Sequence, residues 1–335
     1  MKKLLILLLV AINVSCGASQ KEKREMPEWI HNPYSEYNKT FYFATVGSGD
    51  TKKGAEKDAY TNISKIIQTK ISSNETMQQE FLEESEKDLQ SREKFTQLTN
   101  IQTEQTLKNI KIAKTYFDPK QAIHYSLAYL DRAETSMIYE KEIADNNAKI
   151  NKFYHQYQNT DEKIQKFRFL KKAYSLTQEN EYLNAQLRII SSVGQTVDLP
   201  YNIADLESEK MSLASKIKVE IQTSGDYTQN IKAYLADAFN TIGFTVMSNS
   251  STEADFAVRS ELTITRANLN RENLVFVNWD IVVELIEKSG EENEVTFTKS
   301  GRSGQVNLQQ AKRRALKEVE AVIKKDLIDF FNEKF

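Results

Sequence analysis

Cysteine is almost absent from this chain: one residue, Cys16, occurs among 335. A single thiol excludes an internal disulfide and a zinc site built from four cysteines. Histidine is also scarce, with 3 residues, and there are only 4 prolines and 10 glycines, which excludes collagen-like and proline-rich proteins. The remaining composition, 40% hydrophobic and 27% charged, is typical of a globular protein, and the length allows two or three domains.

An excess of charge of either sign is missing as well. The 45 lysines and arginines nearly balance the 47 aspartates and glutamates, so the net charge is −2 at pH 7. Proteins that bind nucleic acid usually carry a basic surface, and we therefore predict no nucleic-acid partner. Long apolar runs are lacking too. The run from Leu4 to Ile12 has nine residues, whereas a membrane-spanning helix needs about 20, so we predict no transmembrane helix.

The N-terminus, MKKLLILLLVAINVSCGASQ, is typical of an export signal. Lys2 and Lys3 form a short positive region before the apolar run. Cys16 follows a serine and precedes Gly17, at the position where such a signal would be cleaved. This arrangement resembles the lipobox of bacterial lipoproteins, in which the cysteine thiol is lipidated and the cysteine becomes the new N-terminus. Asn13 departs from the pattern, which usually has leucine three positions before the cysteine.

The resemblance implies a signal peptide over residues 1–15, lipidation of Cys16, and a polar tether over residues 16–25. The alternative is a secretory signal with an incidental cysteine. Removing residues 1–15 would remove two lysines and no acid, so the net charge would change from −2 to −4. Gly17 stands where some bacteria use aspartate for inner-membrane retention. We therefore expect the outer membrane, with the chain on its periplasmic or surface face.

The first domain is predicted over residues 26–134. The run FYFATV predicts a strand, Gly47-Ser48-Gly49 predicts a turn, and Asp50 or Thr51 can cap a following helix. The stretches 110–117 and 122–130 are typical of paired strands. The polar, acidic segment 71–98 predicts no single type of element.

Several of these residues in order resemble the LPP-20 lipoprotein family. They are PEWI, FYFATVGSG, a helix with Ala55 and Ala59, and the strand ending HYSLAYLDR. The resemblance covers residues 26–134, about a third of the chain. It implies an outer-membrane-associated α+β domain, and it provides no catalytic residue that could be carried over to this sequence.

The rest of the chain predicts a helical hairpin and a second α+β domain. Apolar residues at helical spacing fill residues 135–200, with breaks near Asn159–Thr160 and from Thr177 to Asn180. Residues 206–335 predict the order β-α-β-β-β-β-α, with helices on one face of a mostly antiparallel sheet. Every second residue from Val275 to Leu285 is apolar, which indicates a strand with one buried face. The fold class is therefore α+β, with two such domains joined by the hairpin.

A weaker resemblance concerns the C-terminal domain. The segment IGFTVMSNSSTEADFAVRSELTI is similar to periplasmic modules found in the N-terminal domain of the Tol-system propeller protein and in envelope assembly lipoproteins. The similarity implies a role in protein binding or assembly rather than in catalysis.

Candidate sites for chemistry are few, and each has an ordinary structural interpretation. Gly47-Ser48-Gly49 before a helix could cradle phosphate, but Lys52 replaces the third glycine of a dinucleotide-binding motif. The histidines are scattered and lie in no catalytic motif, so we expect structural or surface roles. Carboxylates in the segment 80–88 could bind calcium or hydrolyse glycosides, although a solvated face is the default. The residues in question are His31, His124 and His155, and Glu80, Glu83, Glu84, Glu86 and Asp88.

Two further groups could bind a ligand or a membrane. Cations on the last helix could meet phosphate or anionic lipid, although neighbouring acids favour pairing along the helix; they are Arg313, Arg314, Lys317, Lys324 and Lys325. Aromatic residues at the start of the first domain could grip a glycan or lie at the membrane interface, although a place in the sheet's core and rim is favoured; they are Trp29, Tyr34, Tyr37, Phe41 and Tyr42.

From the sequence we thus predict a lipid-anchored envelope lipoprotein that is not an enzyme. Its partners would be the membrane, through the lipid anchor, and an envelope protein or peptidoglycan. No cofactor, metal or small-molecule substrate is predicted. Two alternatives stay open: a cell-wall glycan hydrolase that uses residues 80–88, and an accessory lipoprotein of a secretion or motility apparatus.

Overall fold

The computed structural model describes residues 26–79, 107–248, 253–269, 273–288 and 294–335. The described helices are α1 (Glu28–His31), α2 (Lys52–Gln79), α3 (Arg132–Asn159), α4 (Lys163–Ile190), α5 (Ile203–Ala214), α6 (Thr228–Ile242), α7 (Leu308–Val322) and α8 (Ile328–Lys334), with a π-helical turn at Ile323–Leu327. The described strands are β1 (Tyr42–Gly49), β2 (Ile110–Asp118), β3 (Ile123–Asp131), β4 (Lys218–Gly225), β5 (Thr245–Val246), β6 (Phe256–Arg266), β7 (Val275–Glu287) and β8 (Glu294–Gln305). The predicted α+β class is confirmed.

The chain divides into two compact units. Within the described residues, the first unit comprises 26–66 and 107–131, and the second comprises 67–79 and the residues from 132 onward. The helical pair α3–α4 and the C-terminal sheet therefore belong to the same unit. The predicted domain bounds, 26–134, 135–200 and 206–335, stay a proposal.

The sheet of the first unit has the order β1-β3-β2, and both pairings are antiparallel. Strands β2 and β3 form the pair predicted from the sequence. The predicted turn at Gly47–Gly49 is wrong, because these residues continue β1. A Cβ atom on Gly47 would lie 2.1 Å from the backbone nitrogen of Ala59 and 2.4 Å from the carbonyl oxygen of Ala55. Glycine is present here because helix α2 packs directly on the strand.

Helix α2 starts where the sequence predicts. The hydroxyl of Thr51 accepts a hydrogen bond of 3.0 Å from the backbone N–H of Gly54, as an N-cap residue does. Ala55, Ala59 and Ile63 recur at helical spacing and are fully buried. The small side chains of the two alanines allow the helix to approach the glycines of β1.

Helices α3 and α4 each have 28 residues. The predicted break near Asn159–Thr160 is confirmed, whereas the break predicted from Thr177 to Asn180 is wrong. Asn180 lies inside α4 and is fully buried, and its amide nitrogen donates to the carbonyl oxygen of Ile143 at 3.2 Å. Asn180 is typical of a helix end in the sequence. In the structure it connects the two helices across their interface instead.

The C-terminal sheet has the order β5-β4-β6-β7-β8. Strand β4 runs parallel to β5 and to β6, while β6, β7 and β8 are antiparallel. The sheet is therefore mixed rather than mostly antiparallel, since α6 carries the chain from β4 to a parallel neighbour. Alternate residues of β6 face the core or solvent, and the exposed ones are polar: Arg259, Glu261, Thr263 and Thr265.

One face of this sheet is covered by helices. The buried side chains of β7 pack with Ala311, Ala315 and Val319 of α7 in a single core. At the edge of that core, the carboxylate of Glu318 accepts hydrogen bonds from the Trp279 indole at 3.1 Å and the Ser303 hydroxyl at 2.6 Å. Burial opposes ionisation of Glu318, but these donors, with Arg314, hold its pKa below the ordinary value.

Helix α4 also contributes to this core. Ile164 and Phe167 from its first turns are buried with the side chains of the sheet. Arg168 donates to the carboxylate of Glu287 on β7 at 2.7 Å, and its guanidinium lies 4.8 Å from the ring centroid of Phe335. The first half of α4 is thus fixed to the C-terminal sheet, and the second half packs on α3.

Candidate functional site

A polar cleft of about 360 Å³ opens on the helical layer of the second unit. Helix α3 contributes Tyr157 and helix α4 contributes Lys166. The remaining lining comes from α5 and the residues that follow it: Ser208, Glu209, Ser212, Leu213 and Lys216. The cleft is open to solvent and combines an aromatic ring, hydroxyl groups and ammonium groups.

Tyrosines hold the carboxylate of Glu209 at the wall of this cleft. The hydroxyl of Tyr154 donates to the two carboxylate oxygens at 3.1 and 3.3 Å. The Tyr154 ring centroid lies 5.4 Å from that of Tyr157 and 4.2 Å from that of Tyr201. Burial, with the adjacent Glu209 carboxylate, raises the pKa of Tyr154 to about 12, and the same causes raise the pKa of Tyr157. Both phenols are therefore neutral donors at physiological pH.

The two lysine side chains of the cleft form no ion pair with any described residue. Within the described parts of the chain, the side chains of Lys166 and Lys216 form no ion pair and no hydrogen bond. The same holds for the hydroxyls of Ser208 and Ser212. The hydrogen bonds from Tyr154 occupy the Glu209 carboxylate, which keeps its negative charge, so the groups left to bind a ligand are two ammonium groups and two hydroxyls. Such a set suits carboxylates and sugar hydroxyls.

Further lysines lie on the neighbouring surface of α4 and α5. The ammonium of Lys210 is 3.8 Å from the ring centroid of Tyr174. Lys171 donates to the carbonyl oxygen of Asn332 at 2.8 Å. Burial, followed by the charges of Lys210 and Lys172, lowers the pKa of Lys171 to about 8. These contacts tie α8 to the helical layer and make this surface basic.

The arrangement offers binding groups rather than a catalytic constellation. A serine nucleophile needs a base within hydrogen-bond reach, and neither Ser208 nor Ser212 has one in the described residues. His155, on α3, contacts the side chain of Asn159 at 3.2 Å instead. No group of three histidines, cysteines or carboxylates suited to a metal occurs in the portions that the structure describes.

Several predicted sites can be located. The loop-like phosphate cradle does not exist, because Gly47–Gly49 is strand and the backbone N–H of Ser48 donates to the carboxylate of Asp58 at 2.9 Å. His31 ends α1, and the ring of His124 lies 4.6 Å from that of Phe117. Cys16, with the signal peptide and tether, and the carboxylates of residues 80–88 lie outside the described residues.

The cations of the last helix are partly paired. Arg314 lies 3.2 Å from Glu318, and Lys324 lies 3.0 Å from both Asp237 and Glu320. Arg313, Lys317 and Lys325 form no ion pair with any residue that the structure describes. Pairing along the helix therefore accounts for only part of this group.

The aromatic residues before β1 are divided between core and surface. Trp29 is buried, with 5% of its surface exposed, and Phe41 is 60% exposed. Tyr37 stacks on Tyr129 with ring centroids 4.5 Å apart, and burial raises its pKa. Most of this group therefore packs against the sheet of the first unit.

Sequence reasoning missed the cleft, because its parts are far apart in the chain. Tyr154 and Tyr157 are three residues apart and share a helical face, which is the available signal. Tyr201 and Glu209 lie beyond the end of α4, and only the fold of α5 against the helical pair brings them to the tyrosines.

Among the residues described, none of the helices combines the length and apolarity that crossing a bilayer requires. Comparison with curated proteins gives no match. Three solved structures are similar to parts of this chain. A secreted protein from the human pathogen Helicobacter pylori is 15% identical with a TM-score of 0.38, covering 84% of this chain and 96% of that one.

The other two structures are of proteins named as lipoproteins. A minor lipoprotein from Acinetobacter baumannii is 17% identical with a TM-score of 0.25, covering 36% of this chain and 90% of that one. The rare lipoprotein B from Shewanella oneidensis is 9% identical with a TM-score of 0.24, covering 33% and 88%. TM-scores this low do not establish a shared fold.

The family comparison is more specific. Residues 27–131 match the model of the LPP20 lipoprotein family. The matched stretch contains PEWI, β1, the glycine–alanine contact with α2, and the β2–β3 pair. It supports an envelope lipoprotein and confirms the resemblance found in the sequence. Residues 27–131, about a third of the chain, are therefore similar to the LPP20 lipoprotein family.

Proposed function

We propose that this chain is a lipid-anchored protein of the outer membrane that binds an envelope partner without catalysing a reaction. The match of residues 27–131 to a lipoprotein family carries this proposal. The position of the one cysteine after an export signal supports it independently. Acylation at Cys16 would provide the attachment, since each buried CH2 contributes about 0.8 kcal/mol and several chains together give stable anchoring.

Peptidoglycan is the partner whose chemistry fits the cleft of the second unit best. Its sugar rings can lie against the Tyr157 ring, which lines the cleft, and its hydroxyls can form hydrogen bonds with Ser208 and Ser212. Its peptide stems carry carboxylates, which the ammonium groups of Lys166 and Lys216 attract because these lysines form no ion pair among the described residues. A protein partner with an acidic segment is the alternative occupant.

The anchor is tested by labelling cells with an alkyne-bearing fatty acid and detecting the acylated chain. The wild-type chain is expected to be labelled and to sediment with outer membranes. Cys16→Ser should abolish both, because the acyl acceptor is gone. Labelling that persists in Cys16→Ser would contradict the anchor, and a labelled chain in the inner membrane would contradict the location.

The cleft is tested by sedimentation of the purified chain with peptidoglycan sacculi. The double variant Lys166→Ala/Lys216→Ala should bind about a hundredfold more weakly, because it removes two charge-assisted hydrogen bonds that contribute about 1.5 kcal/mol each. The matched control is Lys317→Ala/Lys325→Ala, which removes the same charge from unpaired surface lysines on the last helix. Equal binding by both variants would exclude the cleft. Release of soluble sugar fragments from sacculi would exclude the non-catalytic role.

A further inference from the structure

Exposed apolar side chains gather at one end of the C-terminal sheet. The members of this apolar tip, with their exposed fractions, are Leu269 (42%), Leu274 (40%), Val306 (61%) and Leu308 (38%). Val275, the first residue of β7, pairs with Gln305, the last residue of β8. Leu274 and Val306 come next to this pair and are therefore neighbours. Single exposed leucines are ordinary on protein surfaces, whereas a contiguous group marks an interaction site.

The tip is bordered by cations, and the carboxylates of Asp226 and Glu318 bind the same sheet further along, at the Ile264 amide of β6 and at the Ser303 hydroxyl of β8. Arg266, at the end of β6, is exposed, and Lys312 lies one helical turn after Leu308 on the same side of α7. Arg313 follows it and is exposed. None of the three forms an ion pair within the described part of the chain. The described residues 266–269, 273–277 and 303–313 contain no aspartate or glutamate, and residues 270–272 add one arginine and one glutamate.

The start of α7 adds a positive potential at the same place. This helix has 15 residues, and the side chain of Asn307 caps it by accepting from the backbone N–H of Gln310 at 2.9 Å. Aligned peptide dipoles make the N-terminal end of a helix electropositive. The tip therefore combines apolar side chains, free cations and the positive end of a helix.

We propose that the apolar tip docks on the surface of a bilayer that contains anionic phospholipid. The leucine and valine side chains would enter the boundary between headgroups and acyl chains, while Arg266, Lys312 and Arg313 contact lipid phosphates. The charge of these three cations, which form no ion pair among the described residues, is complementary to the phosphates of an anionic bilayer. This contact goes beyond the proposed anchor, because it uses only residues of the folded second unit and requires no acyl group at Cys16.

The test is co-sedimentation of the chain with lipid vesicles. The protein starts at residue 16 and carries Cys16→Ser, so that neither an acyl group nor the apolar leader contributes to binding. Vesicles of equal parts phosphatidylethanolamine and phosphatidylglycerol are compared with vesicles of phosphatidylcholine. Binding is expected to the anionic vesicles, and it should weaken as salt screens the cations.

Two variants separate the contributions of the tip. Leu274→Ser/Val306→Ser/Leu308→Ser removes apolar surface, and Arg266→Ala/Lys312→Ala/Arg313→Ala removes charge. Each should weaken binding about a hundredfold or more, since each variant removes three side chains that contact the membrane. These side chains are exposed or half-exposed, so circular dichroism should show unchanged folding.

The matched control is Met137→Gln/Val193→Ser, which removes exposed apolar side chains elsewhere in the second unit. It should bind vesicles like the unsubstituted chain. No binding to anionic vesicles, or equal binding by tip and control variants, would overturn the proposal. So would self-association that the tip substitutions abolish while vesicle binding is absent, because the occupant would then be a second copy. None of these outcomes bears on acylation of Cys16.

Discussion

Gly47 shows how a single position can decide the packing of an element. Helix α2 crosses β1 so closely that a Cβ atom on Gly47 would lie 2.1 Å from a backbone nitrogen of the helix. A backbone atom cannot rotate out of the way as a flexible side chain can. The glycine is thus required by the approach of the helix and not by a turn.

We therefore expect Gly47→Ala to destabilise the first unit by about 3 kcal/mol or more, since overpacking against backbone forces the helix away from the strand. The free energy of unfolding in urea measures this effect. Gly54→Ala is the matched control. Its Cβ atom would lie 3.1 Å from the Thr51 hydroxyl and 3.9 Å from the Cα atom of Gly49, which is an ordinary contact distance, and alanine favours a helix. A Gly47→Ala variant as stable as Gly54→Ala would contradict the packing described.

At the scale of the element, buried asparagines join the helical pair α3–α4. Asn180 donates to Asn147 Oδ1 at 2.9 Å, and its own oxygen accepts from Asn146 at 3.0 Å. Hydrogen bonds of this kind are satisfied only in one register of the two helices. The asparagines therefore specify the alignment of the pair as well as stabilising it.

Asn180→Leu should lower the free energy of unfolding by about 2 kcal/mol, because it leaves buried polar groups of α3 without partners. Chemical denaturation followed by circular dichroism provides the measurement. The double variant Asn146→Leu/Asn180→Leu should recover part of the loss, since two of the partnered amides are then replaced by apolar groups. Additive losses in the double variant would show that the amide contact contributes little.

The contact between α4 and β7 depends on a buried ion pair. The side chains of Arg168 and Glu287 are 13% and 3% exposed. Burial raises the pKa of Glu287 above its usual value, although the Arg168 guanidinium opposes the shift. An acid whose pKa is raised on folding stabilises the protein most below its unfolded pKa of 4.5, and that contribution is lost as the pH rises through the folded value.

Arg168→Met removes the counter-charge and raises this pKa further. At pH 7 we expect a loss of about 3 kcal/mol, because the Glu287 carboxylate is then buried without a partner. The loss should shrink towards pH 4.5, where Glu287 is protonated. Urea midpoints at the two pH values measure the difference. An equal loss at pH 7 and at pH 4.5 would show that the effect comes from the packing of Arg168 on Phe335. The double variant Arg168→Met/Glu287→Met should restore stability at pH 7.

At the scale of the whole molecule, the sequence predicts the helices and strands better than it predicts the contacts between them. The α+β class, the β2–β3 pair and the alternation from Val275 to Leu285 follow from local periodicity, and the structure confirms them. Gly47–Gly49 and Asn180 were misinterpreted for a common reason. Glycine and asparagine favour turns locally, but tertiary contacts to α2 and to α3 override that preference here.

The candidate site was less accessible to prediction. The cleft depends on Tyr201 and Glu209 reaching Tyr154, and the apolar tip depends on the register of β7 and β8. No single stretch of sequence contains either arrangement. The cations Arg313, Lys317 and Lys325 were recognised from the sequence, but only the structure separates them from the paired Arg314 and Lys324.

The proposed processing at Cys16 would change the charge of the whole chain. The full sequence has an isoelectric point of about 6.1 and a mass of 38.6 kDa. Loss of residues 1–15 removes two lysines, so the chain isolated from cells should focus below 6.1. Isoelectric focusing with intact mass spectrometry measures both changes. A chain that focuses at 6.1 with the full mass would show that no processing occurs.

Helix α4 couples two layers of the second unit, because its first turns are embedded beneath the sheet and its later turns are paired with α3. A helix of 28 residues is about 42 Å long, and it has no described break along that length. The helix is therefore one continuous element that connects the α3–α4 pair with the C-terminal sheet. Separating this helix from the sheet would require breaking the Arg168–Glu287 contact and exposing Ile164 and Phe167 to water.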